Sequence, residues 1–322
     1  MASLLGKNVL VTGGAGFIGS HLCDALLTHS CNSIIAVDNL FLGKERNLES
    51  ARAHKNFIFI KANVTNYELI KSIVLEYKVN VIFHLAVVPL EVSLENPVWC
   101  FDENVKMTEN ILEIIRLSEH KMTLIAYSSS EVYGSALYVP MDENHPMFPH
   151  TPYAASKVAS DMMVYSYIKT FKIDASIVRP FNNYGPRQNE GSYAAVIPLT
   201  IKRILKGETP VIYSDGKQTR DFIYVKDTVY WTLEIFKNEK TRGEIINLSS
   251  GKQIEIGVII KIICNELNFK REIDKRISRI GDVKCHQGSM EKAKNLIGFN
   301  YNTNFNDAIK NTIDWYKANL DI

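Results

Sequence analysis

Cysteine is scarce and without pattern in this chain: Cys23, Cys31, Cys100, Cys264 and Cys285 are odd in number, dispersed, and free of Cys-x-x-Cys spacing. That excludes a disulfide framework and a cysteine-based zinc site, and it suits a reducing compartment. We expect no metal. No apolar run approaches membrane-spanning length, and Met1 to Leu5 is too short for the apolar segment of a secretory signal. No basic tract breaks the charge balance, which stands at +2 with 22% charged residues, so neither nucleic acid nor a membrane is an expected partner. Internal repeats and low-complexity linkers are also lacking. The expected location is the cytoplasm.

What is present points to a globular enzyme. A length of 322 residues with 46% hydrophobic side chains accommodates a substantial core and roughly two domain-sized units. Apolar strands alternate with helical segments: Phe57 to Ile60, a helix from Tyr67 to Tyr77, Val79 to Phe83, a helix from Met107 to Leu117, Met122 to Tyr127, a helix around Tyr153, and Ala175 to Val178. This alternation predicts an α/β fold with a doubly wound parallel sheet, whose ligands lie beyond the carboxyl ends of the strands, where Gly13, Asp38, His84 and Ser129 fall. After Pro180 the pattern loosens. Asp221 to Val225 and Ile245 to Leu248 read as returns to the first unit, giving a division into 1–178, with returns near 221–248, and an interleaved, smaller 179–322.

The amino-terminal run Lys7 to Thr12 stops at Gly13, Gly16 and Gly19, and an amphipathic stretch from Phe17 to Leu27 follows. Strand, glycine turn and helix together let backbone N–H groups and a helix dipole meet a pyrophosphate. A second run, Ser33 to Val37, ends in Asp38, at the distance expected for a carboxylate gripping ribose hydroxyls. Such a carboxylate repels a 2′-phosphate, so NAD is the expected cofactor rather than NADP. Lys44 and Arg46 follow closely and would soften that preference, unless they are simply charges of a solvated loop.

Tyr153 and Lys157 are spaced to share one face of a helix, where an ammonium lowers the pKa of a phenol that takes an alcohol proton. Upstream, Ser128, Ser129, Ser130 and Glu131 add hydroxyls and a carboxylate. The combination suits hydride chemistry at an alcohol.

Several motifs extend the pattern: Thr12 to Ser20, Val37-Asp38-Asn39, His84-Leu85-Ala86, Ser128 to Gly134, Tyr153 to Lys157, Arg179 to Arg187, Arg220 to Val225, and Arg279 to Asp282. In this order, and over nearly the whole chain, they resemble the extended short-chain dehydrogenases/reductases, specifically the NAD-dependent nucleotide-sugar epimerases, dehydratases and decarboxylases. The resemblance implies a Rossmann sheet whose cofactor contacts are Gly13, Gly16, Phe17, Ile18, Gly19, Asp38, Asn39, Leu85, Ala86, Tyr153 and Lys157. It also implies that Asn63, where the family usually has Asp, and Val64 flank the adenine. Asn182, Arg187, Arg220 and Arg279 stand where such enzymes hold a nucleotide-sugar diphosphate, and Val196 begins the segment passing the nucleobase. Relatives often dimerise through a four-helix bundle, so a homodimer is expected, with Met162, Met163 and Ile168 available for that packing or for the core.

The shared first step is then oxidation at C4 of the sugar, with Tyr153 as base, Lys157 holding the phenol and the ribose, and Ser129 on the same oxygen. Glu131 replaces the small or apolar residue usual in simple 4-epimerases and argues for an added step, removal of the C5 proton, as in a 4,6-dehydratase. Ser130 stands where many dehydratases carry Asp, which leaves Glu131 to serve the departing hydroxyl too. A UDP-glucuronate-type decarboxylase, a UDP-sugar 4-epimerase and a purely reductive ketosugar enzyme are the alternatives.

Overall fold

The computed structural model describes residues 2–191, 193–277 and 284–320. The strands are β1 (Asn8–Thr12), β2 (Ser33–Asp38), β3 (Phe57–Lys61), β4 (Val81–His84), β5 (Thr123–Tyr127), β6 (Asp174–Pro180), β7 (Asn182–Tyr184), β8 (Val211–Tyr213), β9 (Thr219–Tyr224), β10 (Ile245–Leu248), β11 (Gln253–Glu255) and β12 (Asp274–Arg276). The helices are α1 (Phe17–Leu26), α2 (Glu49–Arg52), α3 (Tyr67–Glu76), α4 (Leu90–Glu95), α5 (Pro97–Leu117), α6 (Pro152–Phe171), α7 (Val196–Leu205), α8 (Val225–Lys237), α9 (Ile256–Glu266), α10 (Glu291–Ile297) and α11 (Phe305–Asn319).

Seven strands form one parallel sheet in the order β10-β6-β5-β4-β1-β2-β3. Its strands are apolar on both faces because both are covered. Val9 and Val11 of β1, Ile34 and Ala36 of β2, and Val81 and Phe83 of β4 enter one core with Leu22 and Leu26 of α1 and Val229, Leu233 and Phe236 of α8. The intervening residues, Leu10, Ile35, Val37 and Ile82, enter a second core with Ile70 and Ile73 of α3, Met107 and Ile111 of α5, and Val164 of α6. The period of two along each strand thus sorts the helices onto the two faces, giving the doubly wound fold. Chain order reverses between β1 and β4, and the crevice at their carboxyl ends is where this topology binds ligands.

Beyond β6 the chain builds smaller sheets, β11-β9-β7 and β12-β8, packed with α7, α9 and α11 around Tyr184, Ile197, Ile201, Phe222 and Ile309. Ile245 to Leu248 forms β10, which pairs with β6 at the edge of the large sheet. Asp221 to Tyr224 ends β9, which pairs with β7 and β11, and Val225 begins α8, which packs on the large sheet. Two features hold β9 there. The Asp221 carboxylate is tied to the N–H groups of Ser250, Gly251 and Gly288, at 2.7, 3.0 and 3.0 Å. Phe222 and Tyr224 face the smaller core while Ile223 reaches the large one, so β9 joins the layers without entering the main sheet.

Among the described residues, no helix is long and apolar enough to cross a membrane.

Candidate active site

The glycine turn is closed by contacts that only hydrogen can occupy. Gly13 sits at φ +70°, and a Cβ there would lie 2.8 Å from the Ala86 nitrogen; a Cβ on Gly19 would lie 2.1 Å from the Gly13 oxygen. Helix α1 therefore begins against the end of β1. It starts without a side-chain cap and without an acidic residue in its first turn, leaving its positive end for an anion. Asp38 ends β2, buried, its Oδ2 accepting from Ala15 N at 3.0 Å and its Oδ1 from Leu40 N at 2.8 Å. Burial raises its carboxyl pKa above the ordinary value, and the backbone donors from Leu40, Ala15 and Gly16 pull it back down.

These residues line a cavity of about 360 Å³ together with Phe17, Ile18, Asn39, Asn63, Val64, Leu85, Ala86, Tyr153 and Lys157. The cavity fits a dinucleotide: an uncapped helix end for the pyrophosphate, a fixed carboxylate at the ribose distance, and a cleft between β1 and β4 from which side chains are barred. Behind it, Thr12 Oγ1 accepts from Ala86 N at 3.2 Å and shares a hydrogen bond with His84 Nδ1, 2.8 Å away. His84 Nε2 faces Thr108 Oγ1 at 3.5 Å, and burial lowers the pKa of the ring to about 3, which keeps it neutral.

The second half of the site comes from the end of β5 and the start of α6. Thr151 caps α6, its Oγ1 accepting from Ala154 N at 3.2 Å, with Pro152 in the first turn. Such a cap contributes about 1 kcal/mol and fixes where Tyr153 emerges. The Tyr153 phenol is hydrogen-bonded to Ser129; burial raises its pKa, the Ser129 bond lowers it, and the Glu131 charge raises it further. The spacing of Tyr153 and Lys157 led us to expect an ammonium lowering the phenol pKa. In this structure the Lys157 ammonium donates instead to the Tyr127 oxygen at 2.5 Å. Lys157 is buried, which lowers its pKa, and Asp161 one turn on opposes that shift.

Asp161 anchors a buried network that the sequence did not disclose. Its Oδ2 accepts from Ser128 Oγ at 2.8 Å and from Arg179 Nε at 2.9 Å; Arg179 Nη1 donates to Tyr133 OH at 3.0 Å, and Tyr133 donates to Asn247 Oδ1 at 2.7 Å. Arg179 is 1% exposed, so this pair locks α6, β6 and the Ser128–Tyr133 turn in one register at a high cost for losing either partner.

A larger cavity of about 760 Å³ opens beside the first. Ser129, Ser130, Glu131 and Tyr153 line one end, and Asn182, Val196 and Arg220 line other parts of its wall. The Asn182 Nδ2 is buried without a hydrogen-bond partner among the described residues, a donor awaiting an acceptor. Arg187 departs from this group. Its backbone turns at φ +66° after Pro186, whose oxygen meets His21 Nε2 at 2.9 Å, so the guanidinium pairs with Asp24 of α1 at 2.7 Å and lines the smaller cavity. Arg279 lies outside the described residues. Sequence reasoning missed Gln188 and Asn189, which line the larger cavity directly after Arg187, and Gln218, two residues before Arg220. Their closeness to recognised motifs was the available signal.

The family model described as GDP-mannose 4,6 dehydratase matches residues 10–312. The chain belongs to the extended short-chain dehydrogenase/reductase family of nucleotide-sugar epimerases and dehydratases. A Methanocaldococcus jannaschii relative with a provisional UDP-glucose 4-epimerase name is 35% identical over 97% of this chain and 99% of its own. The solved UDP-N-acetylglucosamine 4-epimerase of Methanobrevibacter ruminantium superposes with a TM-score of 0.90 at 33% identity, covering 98% of this chain and 100% of that one. The dTDP-glucose 4,6-dehydratase of Streptomyces venezuelae, solved with NAD bound, gives 0.91 at 27% identity, covering 97% and 98%. The two cavities adjoin, and Tyr153 and Ser129 line both.

Proposed function

We propose that the protein is an NAD-dependent nucleotide-sugar 4,6-dehydratase, with NAD held on residues 1–178 and the sugar nucleotide between that unit and 179–322. NAD, when bound, accepts a hydride from C4 of the sugar and returns it at C6. The chain's own residues handle protons and position. Tyr153 takes the proton of the C4 hydroxyl while Ser129, already bonded to the phenol, steadies the same oxygen. Glu131 then removes the C5 proton, acidified by the neighbouring ketone, and passes a proton to the C6 hydroxyl, which leaves as water as the C5–C6 double bond forms; C5 regains a proton from solvent once C6 is reduced, and Tyr153 releases its own to solvent. Asn182 and Arg220 hold the diphosphate, with Val196 beside the base.

One observation carries this reading: Glu131 lines the cavity with Tyr153 and Ser129, and its carboxylate enters no hydrogen bond or ion pair among the described residues. A carboxylate serving only a fold would be expected to have a partner. The names of the relatives favour a second reading, a UDP-sugar 4-epimerase, in which Glu131 takes no proton. Incubating the purified protein with a panel of nucleotide sugars and weighing the products separates them: loss of one water supports the dehydratase, a changed retention at unchanged mass the epimerase, and loss of carbon dioxide a decarboxylase.

A further inference from the structure

Lys44 and Arg46 follow the ribose carboxylate Asp38 by six and eight residues, and the loop that carries them folds back over it. A Cβ on Gly43 would lie 2.6 Å from Asp38 Oδ1, and Lys44 N donates to Ala15 O at 3.0 Å while Ala15 N donates to Asp38. Two cations beside a ribose site are what a 2′-phosphate would seek. Both are engaged elsewhere. Glu190, buried, takes the Lys44 ammonium and the Arg46 guanidinium on the same Oε1, the latter at 2.7 Å, and its backbone oxygen accepts from Lys202 at 2.8 Å. The residues just before each partner, Gly43 and Asn189, line the dinucleotide cavity, so the bridge spans its rim.

We propose that Glu190 is a cofactor-specificity determinant: it withdraws Lys44 and Arg46 from the adenosine ribose, so that Asp38 repels a 2′-phosphate with neither of them to offset it. Glu190 touches no reacting atom; it sets selectivity by occupying two cations and tying the loop after β2 to the segment after Arg187. Burial alone would raise the Glu190 carboxyl, yet Lys44 and Arg46 outweigh it and lower its pKa, as a carboxylate committed to both would show.

The inference rests on the dinucleotide reading of the smaller cavity, and equilibrium dialysis of NAD and NADP against the full chain tests each separately. In Glu190→Gln, NADP should bind about tenfold tighter relative to NAD than in the natural protein, the scale of a charge-assisted contact. Adding Lys44→Ala and Arg46→Ala should remove that gain. In the natural background the same two alanines should leave the NAD-to-NADP ratio within about twofold, because the cations are already occupied. An unchanged ratio in Glu190→Gln, or NADP binding weakened by the alanines while Glu190 is intact, overturns the proposal. Failure of the natural protein to bind either dinucleotide overturns the site reading itself.

Discussion

The Lys157 ammonium donates a hydrogen bond to the Tyr127 carbonyl oxygen at 2.5 Å, so the cation four residues from Tyr153 is held by the end of β5. The phenol, bonded to Ser129 and facing the Glu131 charge, carries a raised pKa. A base of this kind is mostly protonated at neutral pH. Its deprotonated fraction grows about tenfold per pH unit, which makes the rate, rather than binding, the quantity that pH should move.

Tyr153→Phe should accordingly lower turnover by at least about 10²-fold while sugar-nucleotide affinity changes by less than about threefold, because the hydroxyl acts on a proton in flight. In the natural protein kcat/KM should rise with pH above neutrality, and steady-state rates with parallel calorimetric binding check both statements. Retained turnover in the phenylalanine variant removes Tyr153 from the chemistry.

The large sheet was legible because its strands are short, apolar and regularly interrupted by helical periodicity. Helix α5 was read from Met107 but begins at Pro97, since Asp102, Glu103 and Asn104 blur its apolar stripe; Asn104 is nonetheless buried, bonding Val88 and Ser156. All the residues expected around the cofactor line one cavity, because strand, glycine turn and acidic strand end constrain one another locally. Partners set by tertiary packing were illegible. Asp161 meets Arg179 across 18 residues, and Glu190 meets Lys44 across 146, with nothing in the local pattern to announce either. The direction of Arg187 was illegible for the same reason, being set by one positive φ and a contact to His21.

Asp38→Arg should weaken NAD about 10- to 100-fold, the usual loss when a charged hydrogen-bond acceptor is removed, and bring NADP affinity up. Dialysis with both dinucleotides measures it. An unchanged preference would reject Asp38 as the ribose ligand.

His84 should make the fold sensitive to acid. Its folded pKa is depressed to about 3 from 6.5, so the unfolded chain binds the proton first. Stability from neutral His84 is complete above pH 6.5 and declines below it, by about 2 kcal/mol between pH 6.5 and 5. His21, lowered to about 4, acts in the same direction, whereas Asp221, raised to about 6, acts in the opposite one. Urea midpoints of the natural protein and of His84→Gln across this range isolate the term. The glutamine variant, whose amide can still meet Thr12 and Thr108, should show a shallower pH slope, and identical slopes would contradict the assignment.

Glu131 decides between elimination and plain epimerisation, and it can be tested without disturbing packing. Glu131→Gln keeps size and loses basicity. If Glu131 removes the C5 proton, C4 oxidation should still occur in the variant while the next step fails, so the near-ultraviolet band of reduced nicotinamide should accumulate when substrate is added. Turnover should fall by about 10²–10⁴-fold, the usual scale for a missing general base. With the natural protein in deuterated water, mass spectrometry should find deuterium at C5 of the product. An epimerase has no such requirement: the ketosugar turns over in its pocket and C5 is never touched. Near-normal turnover of Glu131→Gln, or a product free of deuterium at C5, would therefore leave Glu131 a bystander in the cavity and favour the epimerase.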